Sequence, residues 1–251
     1  MSATAQTTQF GELKCHIVDR LEGNSPRLLV VFAHGFGAPG TDLVSLAEPL
    51  LDASPLIAGA VRFVFPEAPM DLAPLGMPGG RAWWPINMAQ LAAMHETNDY
   101  KQLTEVEPDG LQEASSQLGE AVKAMLNASG LAEGELFLGG FSQGAMASTD
   151  VVLRHGLCPA QLILMSGTLL CRADWERMAA KHVGCPVIQT HGTTDMVLPI
   201  EPSTWLRDIL SENGFQVDYT SFTGPHTVPM EALQKTANAL MTKLVESDDG
   251  N

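Results

Sequence analysis

A serine lies between glycines in the stretch LFLGGFSQGAMAS, which runs from Leu136 to Ser148. Gly140, Ser142 and Gly144 fit the pattern G-x-S-x-G, the sharp strand-to-helix turn on which a nucleophilic serine is exposed. About 0.1 chance matches are expected in a chain of ordinary composition and this length, so the pattern alone is weak evidence. The alternative is a plain strand-to-helix turn in which the serine caps the helix. The chemistry that the pattern predicts is attack by the Ser142 hydroxyl on an acyl group.

A serine hydroxyl is a weak nucleophile at neutral pH and needs a base, and the base needs an acid that fixes its tautomer. In hydrolases with this turn, the three residues follow the chain order serine, acid, histidine. Asp195, in QTHGTTDMVLP, follows a predicted strand, although aspartate is also common in ordinary turns. His226, in SFTGPHTVPM, follows the last predicted strand. We therefore predict a catalytic triad of Ser142, Asp195 and His226.

The remaining histidines fit this order less well. His16 falls in a predicted edge strand, and three others fall in polar helix or lid contexts: His95, His155 and His182. His34 and His191 end predicted strands directly before glycines.

A tetrahedral acyl intermediate carries an oxyanion, which backbone N–H groups can stabilise. One such group comes from the residue after the nucleophile, here Gln143, and another from a loop after an earlier strand. HGFGA, from His34 to Ala38, follows the apolar run LLVVFA and supplies such a loop. We predict Phe36 as its donor, and a structural role for His34, whose ring would fix the loop by hydrogen bonds.

These residues need elements that bring them together, and short apolar runs alternate with helical patterns along the chain. This alternation predicts an α/β fold with a mostly parallel sheet. The predicted strands are residues 28–33, 61–65, 135–138, 161–165, 186–190 and 217–222, with 13–18 as an antiparallel edge strand. The predicted helices are residues 109–128, 143–154, 202–213 and 229–245.

Residues 70–108 interrupt the alternation with prolines, glycines and a Trp-Trp-Pro run. A long excursion of this kind is usually functional, so we predict a loop or small lid across the strand ends. Arg81 could meet an anionic head group, but pairing with a carboxylate is the simpler interpretation. The apolar residues of this segment could line an acyl pocket or pack the lid against the body: Met70, Leu72, Leu75, Met77, Trp83 and Trp84.

The composition favours one α/β domain over residues 1–251, since apolar residues make up 45% of the chain and no linker divides it. The net charge of −15 argues against nucleic acid as a partner. The scattered cysteines predict no metal site and favour free thiols in a reducing cytoplasm. The N-terminus does not resemble a signal peptide, and no run is long enough to cross a membrane.

With these motifs, the chain resembles the phospholipase/carboxylesterase family of α/β-hydrolases, the group that includes acyl-protein thioesterases. The similarity lies in HGFGA, GGFSQGAMAS, HGTTDMVLP and GPHTVP, which extend from the first central strand to the last helix. EPDG at residues 107–110 also matches the family's layout. Ala38 stands where relatives often have an acidic residue, and GMPGGRAWWPINMAQL is longer and more aromatic than in thioesterases, closer to a bacterial esterase subgroup.

The resemblance implies the α/β-hydrolase fold and its catalytic triad. The predicted acyl transfer needs no metal or organic cofactor, and we predict a serine carboxylesterase that acts on short- to medium-chain acyl esters. Lysophospholipase, acyl-protein thioesterase and dienelactone-type activities are alternatives on the same fold, and Ser142 in place of cysteine speaks against the last. A catalytically silent binding module and a peptidase are further alternatives, and an exposed edge or lid could support a homodimer.

Overall fold

The computed structural model of the chain describes residues 4–97, 99–181 and 184–249. Within these ranges eight strands form one sheet and two short strands form a separate hairpin. The strands of the sheet are Thr4–Phe10 (β1), Leu13–Asp19 (β2), Leu28–Ala33 (β3), Val61–Pro66 (β4), Leu136–Phe141 (β7), Gln161–Met165 (β8), Pro186–Gly192 (β9) and Gln216–Phe222 (β10). The hairpin consists of Met70–Asp71 (β5) and Arg81–Ala82 (β6).

Helices connect most of the strands of the sheet. They are Ala47–Asp52 (α1), Pro55–Ala60 (α2), Met88–Thr97 (α3), Lys101–Glu105 (α4), Leu111–Ser129 (α5), Gln143–His155 (α6), Arg172–Ala179 (α7), Ile200–Glu212 (α8) and Met230–Asp249 (α9).

The sheet has the order β1-β2-β4-β3-β7-β8-β9-β10 and is parallel from β4 to β10. β2 pairs antiparallel with both β1 and β4. Because parallel strands share one carboxyl edge, the loops after β3, β7, β9 and β10 gather at that edge. These loops begin near His34, Ser142, Thr193 and Thr223.

Helices cover both faces of the sheet. Along β3, side chains alternate between two cores: Leu29 and Val31 join the core that includes residues of α5 to α8, and Leu28 and Val30 join the one that includes residues of α1, α2 and α9. Every residue of β3 is buried, which explains its uninterrupted apolar sequence. The predicted α/β architecture is confirmed.

The predicted edge strand is wrong in one respect. Residues 13–18 do form an antiparallel strand, but β1 covers its outer side, so β2 is internal and His16 does not lie at an edge. The sequence of β1, TAQTTQF, is polar and its described side chains are mostly exposed, so it carries no apolar signal that would predict a strand. The two edge strands of the sheet are β1 and β10, and exposed residues recur along β10.

Residues 70–108 form the hairpin of β5 and β6, a short 3₁₀ turn and the helices α3 and α4. The sequence predicted an excursion here but not its helices, and it also missed α1, α2 and α7. The described part of the chain contains no helix long and apolar enough to cross a membrane.

Candidate active site

Ser142 occupies the turn between β7 and α6 in a strained backbone conformation. Its φ is 55° and its ψ is −120°, a region that residues other than glycine rarely adopt. The Ser142 N–H donates to the carbonyl of Met165 at 2.9 Å, which ties the turn to the end of β8. The side chain makes no capping hydrogen bond to α6. The hydroxyl therefore does not serve as a helix cap, which was the alternative interpretation of this motif.

The glycines around Ser142 let backbones approach closely. A Cβ at Gly144 would lie 2.0 Å from the carbonyl oxygen of Ala33, and one at Gly140 would lie 2.3 Å from the same atom. A Cβ at Gly139 would lie 2.1 Å from the carbonyl oxygen of Ile163. Only glycine fits these places, so the spacing of the motif reflects the packing of the turn against β3 and β8.

Asp195 and His226 meet at the carboxyl edge of the sheet, although 31 residues separate them in the sequence. The distance from His226 Nδ1 to Asp195 Oδ2 is 2.6 Å, and the Asp195 side chain is fully buried. Two backbone bonds, from Thr193 to Phe222 and from Thr194 to Gly224, hold their two loops together. A carboxylate in this position can fix the histidine tautomer with the proton on Nδ1 and leave Nε2 free as a base.

Hydrogen bonds keep Asp195 ionised. Burial raises the pKa of this carboxyl, but the bonds from His226 and from the N–H groups of Leu198 and Val197 outweigh it, and the net pKa lies below the ordinary value. The N–H groups of Val197 and Leu198 both donate to Oδ1 at 2.8 Å. Each carboxylate oxygen therefore has its own partners.

The His226 ring lies beside the turn between β7 and α6 that carries Ser142, which we call the elbow. It packs on the ring of Phe141, the residue before Ser142, with centroids 4.7 Å apart and a tilt of 43°. The structure thus brings the predicted base against the residue before the predicted nucleophile, and the predicted acid to the base.

Two residues that the sequence analysis did not select support this arrangement. Ser166, directly after β8, donates its hydroxyl to the carbonyl of Thr227 next to the base. His191, the penultimate residue of β9, bonds to the carbonyl of Leu198 through Nε2 at 2.7 Å, and Nε2 lies 3.4 Å from Asp195 Oδ2. Both are polar residues at carboxyl ends of parallel strands, and that position is the signal that could have selected them.

The loop after β3 is fixed by His34, as the sequence predicts. Its Nε2 accepts from the N–H of Ala68 at 3.0 Å, and Nδ1 donates to the carbonyl of Gly35 at 2.8 Å. Burial is the largest cause that lowers the pKa of His34, so the ring is neutral at physiological pH. Hydrogen bonds also fix the backbone on both sides of Phe36. The carbonyl of His34 accepts from the indole of Trp83, and the N–H of Gly37 donates to the carbonyl of Arg81.

Gln143 is the first residue of α6, where backbone N–H groups have no partner within the helix. The helix dipole also favours negative charge at this end. The N–H groups of Phe36 and Gln143 therefore lie at the same edge of the sheet as Ser142, on the two loops where the sequence predicts the oxyanion donors.

An apolar cavity of about 410 Å³ lies beside the elbow, between α3, α4 and the body of the molecule. Met146, one helical turn after Ser142, lines it together with Leu170 and with Leu198 from the acid loop. Leu91, Met94 and Leu103 line it from the side of residues 70–108.

Among the six pocket candidates from the sequence, only Trp84 lines this cavity. Leu72 is fully buried, while the side chains of Leu75 and Met77 are 64% and 39% exposed at the tip of the hairpin. Met70 and Trp83 line a smaller hollow of about 260 Å³, again with Trp84. The cavity thus lies further along the chain than expected, because α3 and α4, which the sequence did not predict, form its outer wall.

Arg81 pairs within the protein. Its guanidinium bonds to the carbonyls of Ala68 and Pro69 and lies 3.8 Å from a carboxylate oxygen of Glu67.

His155 bonds to Ser115 on α5, and His16 bonds to Glu67, so neither belongs to the site; His182 lies outside the described residues. No cluster of three metal-ligating side chains occurs in the part of the chain that the structure describes.

A mostly parallel sheet with helices on both faces and a serine on a strained turn after a central strand define an α/β-hydrolase. The sequence model of the phospholipase/carboxylesterase family matches residues 21–244, and the chain belongs to this family. The resemblance that the motifs indicated is therefore confirmed.

The relatives and solved structures agree with this membership. Acyl-protein thioesterase 1 of Neurospora crassa is 25% identical over 228 residues, 88% of each chain. Acyl-protein thioesterase 1 of Eremothecium gossypii is 27% identical over 187 residues, 74% of each chain. Esterase PE8 has a TM-score of 0.74 at 23% identity, with 96% of this chain and 99% of that chain covered. A carboxylesterase from Mesorhizobium loti has a TM-score of 0.68 at 16% identity, with the same coverage. At these identities the two structures show the fold alone.

Proposed function

We propose that this hydrolase is a serine carboxylesterase that cleaves short- to medium-chain carboxylic esters through an acyl-enzyme on Ser142. The observation that carries the proposal is the chain of contacts at the carboxyl edge: Asp195 bonds to His226, and the His226 ring packs on Phe141 next to the strained Ser142. A structural turn would not require a buried carboxylate and an oriented histidine beside it.

The reaction has two steps of acyl transfer. The Ser142 oxygen attacks the ester carbonyl while His226 Nε2 takes its proton, and Asp195 stabilises the imidazolium that forms. The N–H groups of Phe36 and Gln143 hold the oxyanion of the tetrahedral intermediate. His226 then gives the proton to the departing alcohol. A water molecule activated by the same histidine hydrolyses the acyl-enzyme and restores the Ser142 hydroxyl.

The cavity supports a modest acyl group. Its volume of about 410 Å³ lies toward the lower end of the range for ligand sites, and its lining is mainly apolar. Met146 and Leu198 link it to the elbow helix and to the acid loop. We place the acyl chain in this cavity, with residues 70–108 as a lid that closes its outer side.

A long-chain activity is the second candidate, because two relatives are named acyl-protein thioesterase 1. Val106 lines the cavity and is 59% exposed, so a longer chain could extend outward there. A lysophospholipase or protein thioesterase would use the same triad. Action in the cytoplasm and a homodimer stay predictions from the sequence.

Hydrolysis of a series of aryl esters with two to sixteen acyl carbons distinguishes these activities. We expect the highest kcat/KM at short to medium chains and a loss of at least about 10³-fold in Ser142→Ala at every length. Ser148→Ala is the matched control, because Ser148 is a buried serine on α6, the helix that follows Ser142, and its hydroxyl bonds to the backbone carbonyls of Gly139 and Gly144.

Maximal activity at the longest chains would favour the lysophospholipase or thioesterase activity. If the wild-type protein cleaves none of the esters and a fluorophosphonate probe leaves Ser142 unlabelled, the protein is a silent binding module and the proposal is wrong.

A further inference from the structure

Residues 81–84, which we call the strap, run alongside the loop that carries Phe36. The carbonyl of Arg81 accepts from the N–H of Gly37 at 2.9 Å, and the N–H of Arg81 donates to the carbonyl of Ala38 at 3.0 Å. The indole Nε1 of Trp83 donates to the carbonyl of His34 at 2.9 Å. Three hydrogen bonds of the strap thus hold the backbone on both sides of Phe36.

The same strap also binds the residue that supplies the other predicted oxyanion donor. The side-chain oxygen of Gln143 accepts from the N–H of Trp83 at 2.9 Å, and its side-chain nitrogen donates to the carbonyl of Trp84 at 2.8 Å. Gln143 is fully buried, and the side chains of Trp83 and Trp84 are almost as buried. The side-chain amide of Gln143 therefore accepts one hydrogen bond from the strap backbone and donates another to it, as the backbone of a neighbouring strand would.

We propose that the strap and the Gln143 side chain together position the two oxyanion donors relative to each other. Gln143 then has two separable functions: its backbone N–H binds the oxyanion, and its side-chain amide ties that N–H to the loop of Phe36 through the strap. This inference rests on the proposed function, since an oxyanion forms only if the chain transfers acyl groups.

The physical reason is preorganisation. Oxyanion donors stabilise the transition state only when they already lie where the charge develops, so the spacing between two donors on separate loops must be fixed. β3 and β7 fix the starts of the two loops by their parallel pairing. Beyond the strand ends, the strap is the segment that bonds to both.

The strap also has anchors outside the loop of Phe36 and the first turn of α6. The Arg81 guanidinium bonds to the carbonyls of Ala68 and Pro69, and the hairpin bond from the N–H of Leu72 to the carbonyl of Gly80 holds its start. A Cβ on Gly80 would lie 2.8 Å from the carbonyl oxygen of Gly37, so this glycine permits the close approach of strap and loop.

Gln143→Met tests the proposal because it keeps the backbone N–H and the approximate shape of the side chain but removes both amide bonds. We expect kcat on the best ester to fall about 10- to 100-fold, which is less than the loss of a whole donor, while KM stays within about twofold. The inhibition constant of a trifluoromethyl ketone should rise in parallel, because its adduct with Ser142 carries the same oxyanion.

Gln189→Met is the matched control. Gln189 is equally buried, and its side-chain nitrogen bonds to the carbonyl and hydroxyl of Ser203 on α8, away from the predicted oxyanion donors. Gln143→Met should lower the thermal midpoint, because it leaves the N–H of Trp83 and the carbonyl of Trp84 unpaired. Gln189→Met should lower it less, because it also removes a buried side-chain oxygen that has no partner among the described residues. Only Gln143→Met should change kcat and the affinity for the ketone.

A second pair of variants tests the other end of the strap. Trp83→Phe removes the bond to the carbonyl of His34, and Trp175→Phe removes an indole bond to the buried carboxylate of Asp150 further along α6. We expect a lower kcat with little change in KM only for Trp83→Phe. This pair of variants still tests the proposal if Gln143→Met fails to fold.

Unchanged kcat and ketone affinity in folded Gln143→Met and Trp83→Phe, in a protein whose activity depends on Ser142, would overturn the positioning role alone. An inactive wild-type protein would instead overturn the proposed function. Equal losses in the variants and in their controls would show that the strap only stabilises the fold.

Discussion

Asp195 divides its two carboxylate oxygens between two tasks. Oδ2 faces His226, while Oδ1 accepts the N–H groups of Val197 and Leu198 and so shapes the loop that carries the residue. An amide in this position can still accept the loop bonds through its oxygen. Its nitrogen, however, would face His226 Nδ1 as a donor and favour the wrong tautomer of the base.

We therefore predict that Asp195→Asn lowers kcat by about 10⁴-fold with only a small loss of stability. The check is kcat on the best ester together with the thermal midpoint. Asp174→Asn is the control, since the Asp174 side chain is 46% exposed and pairs with Arg177 on α7. Activity within tenfold of wild type would mean that Asp195 only shapes its loop.

The sequence predicts the three residues of the candidate triad because each one follows a strand and because their chain order is characteristic. It does not predict Ser166 or His191, whose importance depends on which loops lie next to each other. It also cannot predict the side-chain bonds of Gln143, since the strap is sixty residues away along the chain.

At the scale of elements, the elbow helix α6 packs against β3 through Gly144. The Ala33 and His34 carbonyls occupy the space that a side chain at this position would need. The fit therefore fixes how closely the first turn of α6, including the N–H of Gln143, approaches the loop after β3.

We predict that Gly144→Ala destabilises the protein by about 3 kcal/mol and abolishes most ester hydrolysis, because backbone atoms cannot yield as a flexible side chain would. Gly59→Ala in α2 is the control. A Cβ there meets nothing within 4 Å, so alanine should raise stability by up to about 1 kcal/mol. Chemical denaturation of both variants checks this prediction, and a Gly144→Ala protein as stable and active as wild type would contradict it.

The sequence predicts the central elements well because their apolar runs are uninterrupted or have helical spacing. β3 and β8 begin and end at the predicted residues. The failures are polar or short elements: β1 is an exposed polar strand, and α1 and α2 span six residues each. Tertiary packing rather than local pattern determines such elements.

At the scale of the whole molecule, buried histidines link stability to pH. Burial is the largest cause that lowers the pKa of both His34 and His191 below the ordinary value of histidine. Below pH of about 6.5, the unfolded chain takes up protons at these residues more readily than the folded protein does. The unfolded state then binds more protons, so acidification favours it.

We predict that the free energy of unfolding falls as the pH drops from 7 to 5, by at most about 1.4 kcal/mol per pH unit for each of the two histidines. Urea denaturation across this range measures the slope. The double variant H34Q/H191Q should show a shallower slope than wild type at the same pH values. A wild-type stability that is flat from pH 7 to 5 would contradict the prediction.

The four cysteines have very different surroundings, and this gives the protein one convenient attachment point. All are free, and burial raises the pKa of Cys15, Cys171 and Cys185 to about 12, whereas Cys158 is exposed. Cys158 follows α6 at the end opposite Ser142, about 20 Å away along a helix of 13 residues. A maleimide dye or a surface linker would therefore couple at one defined position, at the end of α6 opposite Ser142, and leave the carboxyl edge of the sheet facing solvent.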